Sequence, residues 1–330
     1  RSGDLLRPDS RVCRFMIRTS LILLCLSGLC SATFGGDSPV SGDAVIRASA
    51  GGSEIVITTT SRLAGAIHSL TWNGVEFIDS HDHGRQLQSA SNFDLNSKFS
   101  GETFNPTEAG SVFDGAGPTS TSRLLHLRTT YRSLQTTSQM AFWLRPGGTS
   151  GGRPAKNKTA LSHHLLTKRV TIGWRDLPHV IVYDATFHVP IGESHSYAQF
   201  EAVTGYMPES FSRFWKYNPQ SQMFEPLTDG PGEQPLPVVL ATENGSHAMG
   251  VFSPQQPSPG FKQAGYGRWR FGPQRVVKWN CVFRIRDNER GIAAGEYSFR
   301  NFVIVGDLET VRTCLVRLHA EHSQPGADAR

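Results

Sequence analysis

The residues best suited to chemistry are concentrated in one polar stretch, residues 79–120. Glycine and proline interrupt it so often that neither a helical nor a strand period survives. A long irregular segment inside a compact domain is usually functional or disordered, and clustered histidines favour function. We predict acid/base catalysis by His83 and by Glu108, which a proline-containing turn would hold in place. The predicted substrate contacts in this stretch are His81, Arg85, Gln88 and Asn105.

Each of these residues also has a less specific interpretation. His81 and His83 could share a metal ion with a neighbouring aspartate, or could be two histidines of a polar surface turn. Because no distant third ligand is indicated, the sequence predicts neither a metal nor another cofactor. Arg85 has donors that suit sugar hydroxyls or a carboxylate, but it could instead pin the loop. Glu108 could cap loop amides rather than move protons.

A second group of candidates lies in the strand-like segment 197–206. Glu201 stands there between apolar neighbours, and such surroundings shift the pKa of a carboxyl group into a useful range. We predict that Glu201 and Tyr206 are catalytic. The alternative is a sheet face that simply meets water, because polar side chains alternate with apolar ones there in the same way.

Two further segments contribute predicted substrate contacts. In residues 276–286, strict alternation puts Lys278 and Asn280 on a polar face, which is either a binding surface or a solvated one. Residues 208–226 are aromatic and are interpreted as a loop. Trp215 in this loop could stack on a sugar ring or could cover the core beneath.

The elements that must position these residues are mostly strands. Asn73-Gly74 and Asn244-Gly245 each separate two strand-like runs, which predicts β-hairpins. Helical spacing is convincing only after Asp307, which is a suitable N-cap. The sequence therefore predicts an all-β fold, a large antiparallel β-sandwich (supersandwich) with a short C-terminal helix. Segments 79–120 and 208–226 would roof its site.

The ends of the chain are expected to lie outside the folded unit. Residues 1–32 resemble an upstream extension followed by a signal peptide, with an apolar run at 21–30 that is too short to span a bilayer. This predicts a secreted or periplasmic protein without a membrane span. Residues 33–43 are expected to be a flexible lead-in, residues 44–320 a single β-sandwich domain, and residues 321–330 a disordered tail.

Charge and cysteine content narrow the possible partners. The formal net charge is +5, but residues 1–32 hold five arginines and two acidic residues, which leaves +2 for the rest. No basic stripe is visible, so nucleic acid is not a predicted partner. Cys281 and Cys314 could form a disulfide after export or remain buried thiols. The sequence does not indicate an oligomeric state.

Three features resemble the galactose-mutarotase-like β-supersandwich group of carbohydrate-active proteins. Residues 64–74 (AGAIHSLTWNG) look like its opening strands, Gly84-Arg85 looks like its glycine-arginine element, and residues 276–305 fit its late strands. The family's asparagine-arginine pair is replaced here by residues 86–88 (QLQ), and its catalytic histidine motif has no clear counterpart. The resemblance implies a carbohydrate substrate or ligand.

Several functions remain open at this point. A secreted glycoside hydrolase would use Glu108 and Glu201 as its acid and base. A polysaccharide lyase would use Arg85 and Asn105 to neutralise a uronate and His83 or Tyr206 to remove a proton. The modest basic content slightly disfavours the lyase, because anionic polysaccharides usually meet basic clefts. The alternatives are a non-catalytic glycan-binding protein of the envelope and a structural β-domain that binds another protein.

Overall fold

The structure, a computed structural model, describes residues 40–322, which form antiparallel strands followed by one long helix. The strands up to residue 160 are β1 (Ala44–Ala50), β2 (Ser53–Thr59), β3 (Ile67–Trp72), β4 (Val75–Glu76), β5 (Leu87–Phe93), β6 (Pro106–Thr107), β7 (Arg123–Thr129), β8 (Ser133–Phe142), β9 (Thr149–Ser150) and β10 (Arg153–Pro154). Those that follow are β11 (Leu161–Trp174), β12 (Leu177–Val189), β13 (Tyr197–Pro208), β14 (Arg213–Asn218), β15 (Met223–Pro226), β16 (Gly232–Gln234), β17 (Val238–Ala241), β18 (Ala248–Phe252), β19 (Tyr266–Phe271), β20 (Val276–Arg286) and β21 (Gly295–Gly306). The helix is α1 (Leu308–His322).

The strand pairings define two layers. Sheet A runs β7-β8-β11-β12-β21-β18-β17-β14-β15. Sheet B runs β1-β2-β3-β5-β13-β20-β19-β16. The short strand β6 pairs with both β5 and β8 and joins the two layers. The predicted all-β fold with a C-terminal helix is therefore confirmed.

The main core lies between the two sheets. Tyr183 of sheet A and Phe200 and Trp279 of sheet B are fully buried in one apolar cluster. A second cluster lies on the other side of sheet A, where Leu315 of helix α1 packs with Phe302. Each fully buried side chain of this size contributes about 2 kcal/mol. Helix α1 thus covers part of the outer face of sheet A, whereas the side of sheet B away from the core is free to carry polar residues.

Three local predictions are confirmed. Asn73 and Gly74 have φ angles of 49° and 75°, the left-handed conformation that a two-residue hairpin turn requires. Strands β17 and β18 pair across the second predicted turn, in which Gly245 has φ of 71°. The side chain of Asp307 caps helix α1, because its Oδ1 accepts a hydrogen bond from the Thr310 N–H at 2.7 Å.

Two segments interpreted as loops contain strands. Segment 79–120 includes β5, which lies in the middle of sheet B between β3 and β13. Segment 208–226 forms the hairpin of β14 and β15. Strand β5 escaped detection because polar residues occupy both of its faces, so it lacks the apolar alternation that marks a strand.

The ends and the cysteines complete the description. The predicted signal peptide, most of the lead-in and the end of the predicted tail fall in residues 1–39 and 323–330, outside the described residues.

Cys281 and Cys314 are both buried free thiols, and burial raises the pKa of Cys314 to about 11. Within residues 40–322, no helix is long and apolar enough to cross a bilayer.

Candidate functional site

A cleft opens on the side of sheet B away from the core, where β5, β13 and β20 lie side by side. Its volume is about 90 Å³. We name it the Glu201 cleft and define it by six of its lining residues, all of which except Trp143 are sequence-predicted site residues. They are Gln88, Asn105, Trp143, Glu201, Tyr206 and Lys278.

A β-bulge in β13 aligns the cleft residues of that strand. The pairing of β13 with both β5 and β20 shifts after Glu201. Without the shift, simple alternation would put Thr204 and Tyr206 on the opposite face from Glu201. With it, Glu201, Thr204 and Tyr206 all line the cleft. Bulges re-aim side chains in this way, and they are over-represented next to active sites.

Glu201 is held as an anion by three donors that converge on its Oε2. Lys278 Nζ lies at 3.3 Å, Asn280 Nδ2 at 3.2 Å and Thr204 Oγ1 at 2.9 Å. Burial acts to raise the pKa of Glu201, but the charge of Lys278 and these hydrogen bonds outweigh it, so the pKa is lowered. Oε1 receives none of these three hydrogen bonds, which leaves it able to accept one from a ligand.

Lys278 is correspondingly held as a cation. Burial acts to lower its pKa, but the Glu201 carboxylate and the Tyr206 hydroxyl outweigh it, so the pKa of Lys278 is raised. Its Nζ also lies 5.1 Å from the ring centroid of Tyr206 and 4.9 Å from that of Trp269, within the range of cation–π attraction. Burial raises the pKa of Tyr206, which therefore stays a neutral hydroxyl.

Fixed amides line another part of the cleft. Gln88 Nε2 donates to the Gly84 carbonyl at 2.9 Å, while its Oε1 is buried and has no hydrogen-bond partner in the described range. The Gln88 side chain is nearly inaccessible, at 6% exposure, and an unpaired buried acceptor of this kind costs about 1–3 kcal/mol. Asn105 Nδ2 donates to the Ser91 carbonyl at 2.6 Å. A ligand hydroxyl donating to Gln88 Oε1 would remove that cost.

An indole and a second carboxylate border the cleft. Trp143 approaches the backbone of Gly84 so closely that a Cβ there would lie 2.7 Å from its Cη2. Glu102 lines the cleft from the segment after β5, where its N–H donates to Asn92 Oδ1 at 2.9 Å. Its carboxylate accepts a hydrogen bond from Ser150.

Glu108 lies in the interior rather than in the cleft. It is fully buried, pairs with the ammonium group of the fully buried Lys168, and accepts a hydrogen bond from the Ser89 N–H at 3.0 Å. The two faces of β5 explain the separation, because Ser89 points to the core and Gln88 to the cleft. Glu108 and Glu201 are therefore not brought together as an acid and base pair.

The two predicted loop histidines also lie outside the cleft. Both ring nitrogens of His83 are within 2.9 Å of backbone carbonyl oxygens, those of Gly115 and Arg62, and the side chain is buried. This histidine joins two loop segments. His81 is exposed, its backbone N–H donates to Asp79 Oδ1 at 3.1 Å, and it does not line the cleft.

Arg85 and Trp215 have structural partners of their own. Arg85 pairs with Asp82 at 2.9 Å and with Asp79 at 3.7 Å, which fits the loop-pinning interpretation. Trp215 lies on β14, pairs with β15 and β17, and packs against the apolar cluster beneath helix α1. Neither residue lines the Glu201 cleft.

Several lining or neighbouring residues were missed by the sequence reasoning. Thr204 was hidden by the bulge, and nothing near Trp143 in the sequence distinguishes it from a core residue. Glu102 carried no signal in the turn that follows Gly101. Trp269 was also not predicted, although its ring faces Lys278.

A larger groove of about 520 Å³ lies on sheet A, where many polar groups pair with one another, although the buried Nε2 of His322 has no hydrogen-bond partner among the described residues. Arg300 Nε and Nη2 donate to the two oxygens of Asp184 at 2.8 and 2.9 Å, and Thr186 bonds Ser298 at 2.8 Å. The Glu201 cleft, by contrast, holds its Lys278–Glu201 ion pair at only 13% and 16% exposure, against 46% and 30% for Arg300 and Asp184. It is therefore the better candidate for a ligand site.

Comparisons with known proteins give similarities of structure alone. No protein-family model matches this chain, and no curated protein matches it. Similar solved structures include an alpha-mannosidase from Enterococcus faecalis (11% identity, TM-score 0.46, covering 82% of this chain and 30% of that one). Another is an alpha-galactosidase from Lactobacillus brevis (9% identity, TM-score 0.41, covering 81% of this chain and 40% of that one). A third is a putative mutarotase, YeaD, from Salmonella typhimurium (9% identity, TM-score 0.34, covering 80% of this chain and 94% of that one).

These neighbours include the kind of protein that the sequence resemblance indicated. At TM-scores below 0.5 and identities near 10%, they establish neither the activity nor the substrate of this chain.

Proposed function

We propose that this protein binds a neutral carbohydrate in the Glu201 cleft. The observation that carries the proposal is that an anionic carboxylate and a side chain with a buried, unpartnered amide oxygen, Gln88 Oε1, line one small cleft. Both are acceptors held in fixed positions, and a sugar offers several hydroxyl donors close together. Trp143 at the border supplies an apolar face of the kind that packs on a sugar ring.

The charge of the cleft favours a neutral ligand over a uronate. Glu201 and Lys278 neutralise each other, and the remaining charged residue among those that line the cleft is the acidic Glu102. A uronate carboxylate would find no unpaired cation among these lining residues, and Arg85 is engaged by two aspartates. Burial of such an unpaired charge is strongly unfavourable. This argument disfavours the lyase reaction.

Glycoside hydrolysis is the second candidate, and one specific observation favours it. Two carboxylates, Glu201 and Glu102, line the same cleft. Glycosidases use such a pair on either side of the bond that breaks. Glu201, whose pKa is lowered, would serve as the anionic partner, and Glu102 would replace the buried Glu108 as the proton donor.

The link to sugar chemistry and the location of the protein are also proposals. The similar solved structures include a mannosidase, a galactosidase and a putative mutarotase, which are proteins of sugar chemistry. A secreted or periplasmic location, suggested by residues 16–32, would bring the cleft into contact with extracellular glycans. The non-catalytic alternative, a glycan-binding protein of the envelope, needs the cleft but not the pair of carboxylates.

A panel of neutral and uronic oligo- and polysaccharides tests the proposal. We expect the whole chain to be retained by a neutral glycan, and the Glu201→Gln variant to lose that retention. Glu209→Gln is the matched control, because Glu209 follows β13 and pairs with Arg275 outside the cleft. Selective retention by uronic glycans, or equal retention of both variants, would contradict the proposal.

The same panel separates an enzyme from a binding protein. New reducing ends that appear with wild type and Glu209→Gln, and fall at least about 100-fold with Glu201→Gln, would identify a hydrolase. Retention without any new reducing ends would leave the binding function alone. Absorbance from unsaturated products would instead identify the lyase that the charge argument disfavours.

A further inference from the structure

A second polar cluster lies away from the Glu201 cleft. His164 of β11 and the segment 190–196 between β12 and β13 bring two imidazoles onto one carboxylate. His164 Nε2 lies 2.8 Å and His195 Nε2 lies 2.9 Å from the same oxygen, Glu193 Oε2. The imidazoles are buried, whereas the Glu193 side chain is 22% exposed.

Both ring nitrogens of His195 face oxygen atoms. Its Nδ1 lies 2.6 Å from the backbone carbonyl of Asp94, which can only accept, so Nδ1 carries a proton. In a neutral ring the Nε2 atom then has a lone pair that points at the carboxylate of Glu193, which is also an acceptor. A cation bound between Nε2 and Glu193 Oε2 would contact both of these atoms.

We propose that His164, Glu193 and His195 form a binding site for a divalent transition-metal ion of the zinc class. Two imidazole nitrogens and one carboxylate oxygen are ligands that zinc commonly takes, with a fourth position left for solvent. The partial exposure of Glu193 gives solvent a route to that position. The proposal does not depend on the carbohydrate function.

The surroundings of the cluster hold its imidazoles in place. The rings of His164 and His195 lie 4.8 Å and 4.7 Å from the ring of Phe93, and Phe104 borders both. The Asp94 carbonyl orients His195 from behind, as outer-shell acceptors do in metal sites. The Asp94 carboxylate is itself fixed by the N–H groups of residues 196 and 197, at 2.8 Å each.

The geometry needs only a small adjustment to accept an ion. Tetrahedral coordination at about 2.0–2.1 Å puts neighbouring ligand atoms about 3.3 Å apart. The separations of 2.8 and 2.9 Å between the two imidazole nitrogens and Glu193 Oε2 must therefore widen by about 0.4–0.5 Å, and the two Nε2 atoms lie within 4.8 Å of each other. Glu193 can provide this movement, because it lies in the segment between β12 and β13 rather than in a strand. A bound ion would tie this segment to β11, beside the start of β13.

Metal content and affinity test the proposal. The whole chain, prepared without a polyhistidine tag, is stripped with a chelator and titrated with Zn²⁺, and retained zinc is measured by mass spectrometry after dialysis. We expect about one zinc ion per chain, held with sub-micromolar affinity. His164→Gln and His195→Gln should each weaken binding by about 100-fold or more.

A matched control lies next to the ligand in the sequence. His163 is exposed on the same strand, and His163→Gln should bind zinc as wild type does. The proposal would be overturned if His163→Gln lost zinc binding equally, or if both ligand variants bound zinc unchanged. Either result would indicate that zinc binds to surface histidines instead. If the ligand variants do not fold, Co²⁺ added to the wild type decides: intense tetrahedral absorption bands support the site, and an octahedral aqueous spectrum overturns it.

Discussion

The ammonium nitrogen of Lys278 lies 3.3 Å from Oε2 of Glu201, and the two residues lie on adjacent strands of one sheet, facing the same cleft. Each keeps the other charged in a place where burial alone would favour the neutral forms. The cleft therefore carries fixed charges with little net charge between them. Such a surface can orient the hydroxyl groups of a neutral ligand without attracting ions.

Acid should remove the contribution of Glu201 to stability. Because its pKa is lowered in the folded state from about 4.5, the carboxylate stabilises the fold above that pH, and this stabilisation disappears as the pH falls through the folded-state value. The free energy of unfolding of the wild type should therefore decrease more between about pH 5 and about pH 3 than that of Glu201→Gln. Urea unfolding at each pH measures this, and parallel curves would argue against the assigned charge state.

The two tryptophans should differ in their effect on ligand affinity. Trp143→Ala removes an apolar face at the border of the cleft and should weaken sugar binding by about 1 kcal/mol, or about five-fold. Trp215→Ala should leave the affinity unchanged and lower stability, because Trp215 packs beneath helix α1. Titration calorimetry on the folded variants gives both affinities. A larger loss for Trp215→Ala would mean that the ligand lies elsewhere.

The buried pair of Glu108 and Lys168 should matter for stability rather than for binding. Glu108→Gln or Lys168→Met leaves an uncompensated charge or an unpaired polar group in the core and should cost about 3–5 kcal/mol. The double variant should lose less than the sum of the two. Urea unfolding of all four proteins measures the coupling. If Glu108→Gln were as stable as wild type yet unable to bind sugar, Glu108 would belong to the site.

Gly84 should be required for the position of Trp143. A Cβ at residue 84 would lie 2.7 Å from the Trp143 ring, so Gly84→Ala must displace the indole and should weaken sugar binding a few-fold. Gly101→Ala is the control, since no atom lies within 4 Å of a Cβ built there. Equal affinities of the two variants in calorimetry would show that the indole does not contact the ligand.

Alternation in the sequence was sufficient to predict much of the sheet that carries the cleft. The polar face of β20, with Lys278 and Asn280, is the one that the structure shows. The positive φ angles of Asn73 and Gly74 follow from the residue types alone. These features are local, and local patterns determine them.

The features that the sequence did not predict depend on contacts between segments that are distant in the chain. Strand β5 reads as a loop because Ser89 meets a polar part of the core, where its Oγ donates to the Ala202 carbonyl at 2.7 Å, while Gln88 faces the cleft. Nothing near Glu108 in the sequence indicates that Lys168, on another strand, will neutralise it. The bulge after Glu201 likewise cannot be inferred from alternation, which it interrupts.

Direct titration of the Glu201 cleft tests the central claim most sharply. Wild type, Glu201→Gln and Glu209→Gln are titrated in a calorimeter with the neutral glycan that retains the wild type best. We predict equal affinity for wild type and Glu209→Gln and an affinity about 10- to 100-fold lower for Glu201→Gln, because a hydrogen bond to a charged group contributes about 1.5–3 kcal/mol. Unchanged affinity in Glu201→Gln, or no binding of any neutral glycan by the wild type, would contradict the account.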